Sequence, residues 1–538
     1  EIKGSERISN WTKEKDGVWK VTIPNAFFGE YNPYIDLIYG DWFNDMGRKH
    51  HTGEVFLNNK SLYEKETLEK VLHPVPNENC EDKEGSTYTW YCENDGVNTI
   101  IWANFHKYDP NKELVEISIR PTCFYPEKQG INYLTLQGFH ISQAATQWGA
   151  PTAEQIGMIA THWNKGWIIE NNVISNSKCS GITLGKERQT GHNTWLNDQT
   201  IDGSLHYIEV TFNTIRNGWN KENIGSHIVR NNEISHCEQT GICGSMGAAF
   251  SLIENNHIHD IWVKRQFTGA EIGGIKFHAA VDTRIIHNRI HNAGRALWLD
   301  WMTQGTRVSG NLFYDNDMED LFLEVNHGPF LVDNNIFASR RSILEQSQGG
   351  AYVHNLIAGD IYRYVEHGRY TPYFLPHSTE VAGLSIIPGG DDRYINNLFA
   401  TVLPENEKDS KRKYGLADYN KTVYPMMVDG NVYYNGALPF EGEKNKVVLP
   451  DFKPDVKVEE TADGVYLSLS VQGLDGLQTS RVTTGRLGKA KLPRQAYEQP
   501  DGSPIDIATD YLGNARGNQP KPGPLESIKD GAIRIKVW

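Results

Sequence analysis

One short phrase recurs along this chain: Asn, any residue, then Ile or an aromatic. It reads NVI at Asn172, NEI at Asn232, NHI at Asn256, NRI at Asn288, NLF at Asn311, NIF at Asn335, NLI at Asn355, NLF at Asn397 and NVY at Asn431. The tightest steps are 24 residues from Asn232 to Asn256, 23 from Asn288 to Asn311, 24 from Asn311 to Asn335 and 20 from Asn335 to Asn355. Longer steps fit the same period with a loop inserted or a rung skipped, and LQGFHI, Leu136 to Ile141, is an earlier rung without the Asn. A repeat of this length admits leucine-rich repeats or a parallel coil of strands. The leucine-rich consensus is absent, and short β-branched runs punctuated by Asn and Gly dominate, as in HIVRNNEISHCEQTGICG. The fold class predicted is all-β: a right-handed parallel β-helix whose asparagines stack and bond to one another inside the coil.

The 538 residues exceed one ordinary core, so an elongated repeat domain with additions is the natural partition. EIKGSERI reads as an early rung, which assigns residues 1–18 to the coil. Residues 19–121 alternate in longer strands with hairpin turns, as in STYTWYCENDGVNTIIWANF, and predict an inserted antiparallel β-sandwich. The catalytic coil then spans 122–437, and 438–538 is a capping and packing segment. The opening residues carry neither an initiator Met nor a signal peptide, so the N-terminus is read as incomplete and the compartment as unassigned.

Composition excludes several classes. A net charge of −14 disfavours nucleic acid and polyanionic substrates. No apolar run reaches the roughly 18 residues of a membrane span. The six cysteines form no CxxC pair, no disulfide framework and no zinc spacing, so no metal ligand and no cofactor is expected, with a structural cation left open. Fourteen Trp and 25 Tyr supply flat faces suited to sugar rings, and equally to a core.

Aligning the strand that follows each ladder Asn gives a column. GITLG ends on Gly185, GICGS on Ser245, GIKFH on His278, ALWLD on Asp300, LFLE on Glu324 and SILE on Glu345. Neighbours in such a column lie ~4.8 Å apart. Adjacent carboxylates in a partly desolvated groove push one pKa up while another group stays ionised, which is the division that glycoside hydrolysis needs. Asp300 and Glu324, on adjacent rungs, suit the retaining separation of about 5 Å; Asp300 and Glu345, two rungs apart, lie near the inverting range. The adjacent pair is preferred over a solvated acidic edge. Trp301 is expected beside the acids as a sugar platform and Trp298 in the core. His278, one rung before Asp300, is placed to bond a hydroxyl or tune the carboxylate.

At these residues the chain resembles glycoside hydrolase family 120, β-xylosidases on a right-handed β-helix with an inserted β-sandwich. The resemblance is carried by FFGEYNPY (Phe27 to Tyr34), GDWF (Gly40 to Phe43), GEVFLNNKSLYE (Gly53 to Glu64), CFYP (Cys123 to Pro126), NKGWIIENN (Asn164 to Asn172), EIGGIKFHAA (Glu271 to Ala280) and LWLDW (Leu297 to Trp301). It continues in QGTRVSGNLFY (Gln304 to Tyr314), EVNHGP (Glu324 to Pro329), LPHSTEVAG (Leu375 to Gly383) and GGDDR (Gly389 to Arg393), and so covers almost the whole chain. It implies Asp300 as nucleophile, Glu324 as acid/base, Trp42 reaching the site from the sandwich, and Glu271 binding sugar hydroxyls. Family members can carry His before that Glu, where this chain has Ala270. The resemblance further implies exo cleavage of short xylo-oligosaccharides, favours a cytoplasmic location over a periplasmic or secreted one, and allows a homo-oligomer; it implies neither a nucleic-acid nor a membrane partner.

Three rivals share the coil. A polysaccharide lyase would need an Arg, Lys or Tyr base, and the column as read contains no Lys or Arg. A pectinase-type inverting hydrolase would cluster aspartates with a GHG-like motif, of which NHG at Asn326 and GDDR at Gly390 are fragments. A non-catalytic carbohydrate-binding coil would need the groove without the paired acids. Fold alone decides none of these.

Overall fold

A computed structural model describes residues 1–15, 17–402, 413–474 and 477–538. Three parallel sheets, of twelve, ten and eight strands among the described residues, wind around one elongated core. The Asn phrase builds each corner of the coil. The residue before each ladder Asn is left-handed, with φ from 51° at His287 to 74° at Gly430, and is Asn, His or Gly at every rung from 171 to 430. Asn and Gly tolerate that region because they form local hydrogen bonds or lack a Cβ. The Asn itself turns inward. Its Nδ2 donates to Oδ1 of the next rung's Asn, at 3.1 Å from Asn172 to Asn232, 3.0 Å from Asn256 to Asn288 and 2.9 Å from Asn311 to Asn335. The series runs unbroken to Asn431, whose Nδ2 donates to the carboxylate of Glu443 at 2.9 Å. The third residue of each phrase faces the core, so Ile174, Ile234, Ile258, Ile290, Phe313, Phe337, Ile357, Phe399 and Tyr433 form one buried file. Its aromatic members stack, with Phe399 and Tyr433 at 4.8 Å.

The inserted sandwich pairs a five-stranded sheet with a four-stranded one over Trp11, Val21, Tyr34, Trp90, Ile101 and Ile117. Only Ile2–Lys3 joins the coil; Ser5–Arg7 pairs with Val115–Ser118 in the sandwich. The insertion therefore begins near residue 5 rather than 19. Its seam with the coil holds buried ions: Lys178 and Lys264 lie 2.5 Å and 2.6 Å from the Glu54 carboxylate.

Beyond residue 437 the coil adds one more strand, Lys446–Leu449, past the boundary expected. The rest pads its outside. A three-stranded antiparallel sheet covers Leu312, Ile336, Leu356, Leu398 and Val432, and Val482, Leu487, Tyr497 and Ile505 cover Leu331, Val353 and Ile395.

Two insertions shape one end of the eight-stranded sheet. The α-helix Gly203–Arg216 is capped by Asp202, which accepts from the Ser204 N–H at 2.8 Å. The Asn phrases give no sign of this helix. Thr and β-branched residues weaken the helix propensity here, yet His206, Tyr207, Val210, Thr211 and Thr214 are buried at helical spacing. The second insertion is the antiparallel hairpin Glu366–Phe374 with Val381–Ile387. No described helix is long and apolar enough to cross a membrane.

Candidate active site

The site forms where strands of the eight-stranded sheet end beneath that helix and hairpin. Gly273–His278, Leu297–Asp300 and Glu319–Glu324 are consecutive neighbours. Their register pairs Ser245 with His278, His278 with Asp300, and Leu299 with Leu323, which leaves Asp300 and Glu324 side by side as the next residues. Strand alternation turns Leu297, Leu299, Leu321 and Leu323 into the core and sends Trp298, Asp300 and Glu324 to the outer face.

Asp300 is 6% exposed and held by three donors. Its Oδ2 lies 2.7 Å from Lys276 Nζ and 3.0 Å from His278 Nε2, and its Oδ1 accepts the Trp301 N–H at 2.7 Å. Burial opposes ionisation, but the Lys276 charge and the His278 contact hold the carboxyl far below the usual range. Glu324 is shifted in the opposite direction. Burial and the Asp300 charge raise its pKa, against the pull of Lys276 and Arg369. Its Oε1 lies 2.6 Å from Arg369 of the hairpin, and its Oε2 accepts from Trp298 Nε1 at 3.0 Å. Glu271 is 1% exposed, its Oε2 has no hydrogen-bond partner, and burial raises its pKa to about 8. It is thus protonated at neutral pH and has a proton to donate. His278 is kept neutral by burial, its Nδ1 unpartnered.

Several sequence expectations change. Glu345 is not in the column: its register partner is Leu323, and Gln346 stands beside Glu324. Aligning the strand ends was off by one residue, and in a strand that reverses the face. Glu345 points into the core, fully buried, where Tyr352 donates to it at 2.7 Å and Tyr419 makes a shorter contact. Trp298 was expected in the core but lies on the groove face, with Lys276 Nζ 3.1 Å from its ring centre. Trp301 does adjoin Asp300, yet it is 4% exposed and packs edge-on against Tyr207 at 5.5 Å, so its ring is not an open platform. The column was read as lacking Lys and Arg; Lys276 and Arg369 both enter the site, each paired to a carboxylate rather than standing as a base.

Trp42, with φ of 56°, sits at the junction of sandwich and coil. Its ring lies tilted against Trp195, with centres 5.4 Å apart, and packs against the apolar cluster containing Trp301 and Tyr207. Asp41 beside it accepts the Leu196 N–H at 2.6 Å, which ties the loop to the helical insertion. Trp42, Trp195, Gln199, Thr268 and Ala270 line a cleft of about 450 Å³. A separate cleft of about 860 Å³ follows the sandwich seam and contains none of the groove residues.

Lys276, Arg369 and Tyr207 are the site residues the sequence reading missed. Lys276 was findable, because in GIKFH it stands two residues before His278 and so shares its face. Tyr207 and Arg369 arrive on insertions, which no rung count reaches. Tyr207 sits over the column, its hydroxyl 3.2 Å from Ser245 Oγ.

The geometry provides an ionised, fixed carboxylate beside a second carboxyl biased toward its protonated form. Known proteins bear on what such a pair is for. The family model described as glycoside hydrolase 120, insertion domain, matches residues 8–117, and that of a right-handed β-helix region matches 201–357. A solved structure of XylC in complex with xylose is 43% identical, with a TM-score of 0.95, covering 100% of this chain and 89% of that one. A structure described as a glycoside hydrolase aligns at 10% identity and a TM-score of 0.39, covering 67% of this chain and 80% of that one, too distant to carry an argument. Among curated proteins no match was found.

Proposed function

The chain belongs to glycoside hydrolase family 120, and we propose that within it the protein is a retaining, exo-acting β-xylosidase that releases xylose from the non-reducing end of short xylo-oligosaccharides. The observation that carries this reading is the neighbouring pair Asp300 and Glu324, one pKa depressed and the other raised. Adjacent strands lie ~4.8 Å apart, close to the retaining separation of about 5 Å. The solved relative's complex with xylose supports the choice of sugar.

In the first step an oxygen of Asp300 bonds to the anomeric carbon. The glycosidic C–O bond breaks, and its oxygen takes the proton of Glu324. The Asp300 charge is consumed in the ester. That charge is one of the causes raising the Glu324 pKa. Its loss lowers the pKa, so Glu324 becomes the ionised base that the second step needs. Water then gives a proton to Glu324, attacks the same carbon, and frees Asp300. Lys276 and His278 fix the nucleophile's orientation, and Glu271 donates to a sugar hydroxyl. The helix and hairpin wall the groove, and Trp42 at the sandwich closes one side, which supports exo action on short chains.

The test is the anomer first released from xylobiose, followed by proton NMR before mutarotation. β-Xylose first supports retention by the Asp300–Glu324 pair. α-Xylose first refutes it, and no release refutes the choice of substrate.

A further inference from the structure

On the outer face of the twelve-stranded sheet, on a wall of the coil other than the sheet that bears the catalytic pair, three histidines converge. His257 and His259 alternate outward from strand His257–Ile261, and His291 comes from the neighbouring strand, in register with His259. Nitrogens of all three rings lie within 4.8 Å of one another. His257 Nε2 faces His291 Nε2 at 2.9 Å. His259 Nδ1 lies 2.7 Å from the Asp260 carboxylate and donates its proton there, which leaves Nε2 bare. That Nε2 is buried and has no hydrogen-bond partner. The three rings are stacked, with centres 4.3–5.4 Å apart, and a buried acceptor lone pair without a donor is costly unless something binds it.

We propose that His257, His259 and His291 bind one divalent transition-metal ion of the zinc class. A tetrahedral ion with metal–nitrogen bonds of about 2.0–2.1 Å sets its ligand atoms about 3.4 Å apart, inside the range these nitrogens span. Imidazole is a preferred ligand for such ions. The pairing of Asp260 with His259 is the outer carboxylate that commonly fixes the tautomer and direction of a ligating histidine. Glu233, whose Oε1 is 3.6 Å from His259 Nε2 on the preceding rung, or a water completes the set. The positive charge nearby, Arg289, is neutralised by Glu460 at 2.7 Å. The ion ties adjacent rungs together from outside. Local spacing does not reveal this set, because 32 residues of coil separate His259 from His291 and only the winding brings them into register.

The test uses the full, tag-free chain, stripped with a chelator and titrated with Zn²⁺ by calorimetry and with Co²⁺ by visible absorption. Expected are one ion per chain and cobalt d–d bands. His259→Ala should abolish the bands, and Asp260→Asn should weaken binding about 10–100-fold. His291→Phe, which keeps a ring stacked on Tyr314, is the second ligand deletion and should also abolish the bands. Hydrolysis of an aryl β-xyloside by the metal-free variants reports their folding. Fewer than about 0.2 ions per chain, or binding unchanged in either folded ligand variant, overturns the proposal and leaves a plain histidine stack.

Discussion

Replacing Lys276 by Met tests the electrostatics of the site most directly. The side chain keeps its length and its packing on the Trp298 ring but loses its charge. Asp300 loses the 2.7 Å bond from Lys276 Nζ and keeps those from His278 at 3.0 Å and the Trp301 N–H at 2.7 Å. The Lys276 charge and its hydrogen bond both lower the Asp300 pKa against burial. An opposite charge this close is worth about 1–3 units and the charged hydrogen bond, at about 1.5–3 kcal/mol, about 1–2 more, so the Asp300 pKa should rise by about 2–5 units, into the assayed range. The sign follows from the state of the group. In the unaltered protein Asp300 is depressed and stays ionised throughout the working range, so it does not set the acid limb of kcat/KM. In the variant its folded pKa moves up, and rate is lost from higher pH as the medium is acidified. Glu271 does not compensate, because it is already protonated at neutral pH and loss of the Lys276 charge only raises its pKa further. The assay is kcat/KM on an aryl β-xyloside from pH 3 to 8. An acid limb that stays in place in a variant with an unchanged melting temperature would refute the assignment of Lys276 as the group that holds Asp300 ionised.

The remaining predictions concern the acid/base, the hydroxyl donor, the ladder and the seam. Glu324→Ala should lower kcat on xylobiose about 10²–10⁴-fold, and added azide should restore turnover with an activated aryl xyloside and yield β-xylosyl azide; an α-azide product would contradict double displacement. Glu271, at about 8, should lose its proton as pH rises past that value and add a third negative charge beside Asp300 and Glu324, so KM should climb above pH 8 in the unaltered protein and stay flat in Glu271→Gln. Asn311→Ala leaves the Asn288 N–H without the acceptor it bonds at 2.8 Å and the Ile285 carbonyl without its 3.0 Å donor, which should destabilise the protein by about 2–4 kcal/mol in urea unfolding. Glu64 is raised by burial but pulled down to about 2 by the His51 hydrogen bond and the Lys178 charge; its stabilisation, about 3 kcal/mol, is therefore present above pH 4.5 and lost as pH falls toward 2. Unfolding midpoints from pH 5 to 3 should accordingly fall more steeply for the unaltered protein than for Glu64→Gln.

The coil was legible because its determinants are local and repeated. Each phrase specifies a left-handed corner, an inward amide and a core residue within three positions. The catalytic pair was legible because LWLD and LFLE are alike, each an apolar alternation that ends on its acid, and these ends align although Asp300 lies 12 residues after Asn288 and Glu324 lies 13 after Asn311. Aligning strand ends failed at Glu345, because SILE reaches its acid one residue before the position that pairs with Glu324, which is Gln346. What joins distant segments was not legible: Arg369 on its hairpin, Tyr207 on a helix rich in β-branched residues, and the histidines whose meeting depends on the winding. The start of the sandwich was misplaced because strands at its edge are short and mostly exposed, as in Thr12–Lys15, and edge strands carry little alternation to read.

The ladder of amides also has a direction. Every Nδ2 donates toward the C-terminal end and every Oδ1 faces the N-terminal one, so the amide dipoles of successive rungs align head to tail, as peptide dipoles do in a helix. Such a series cannot stop on another amide, which would accept at one face and present unspent donors at the other. It requires an acceptor with nothing to donate. Glu443 is that group: its Oε1 receives both the Nδ2 and the backbone N–H of Asn431 at 2.9 Å, and its negative charge faces the positive pole of the array. The carboxylate thus works as a chain terminator in the polymer sense, and the length of the stack is set by where the sequence places an acid instead of one more amide.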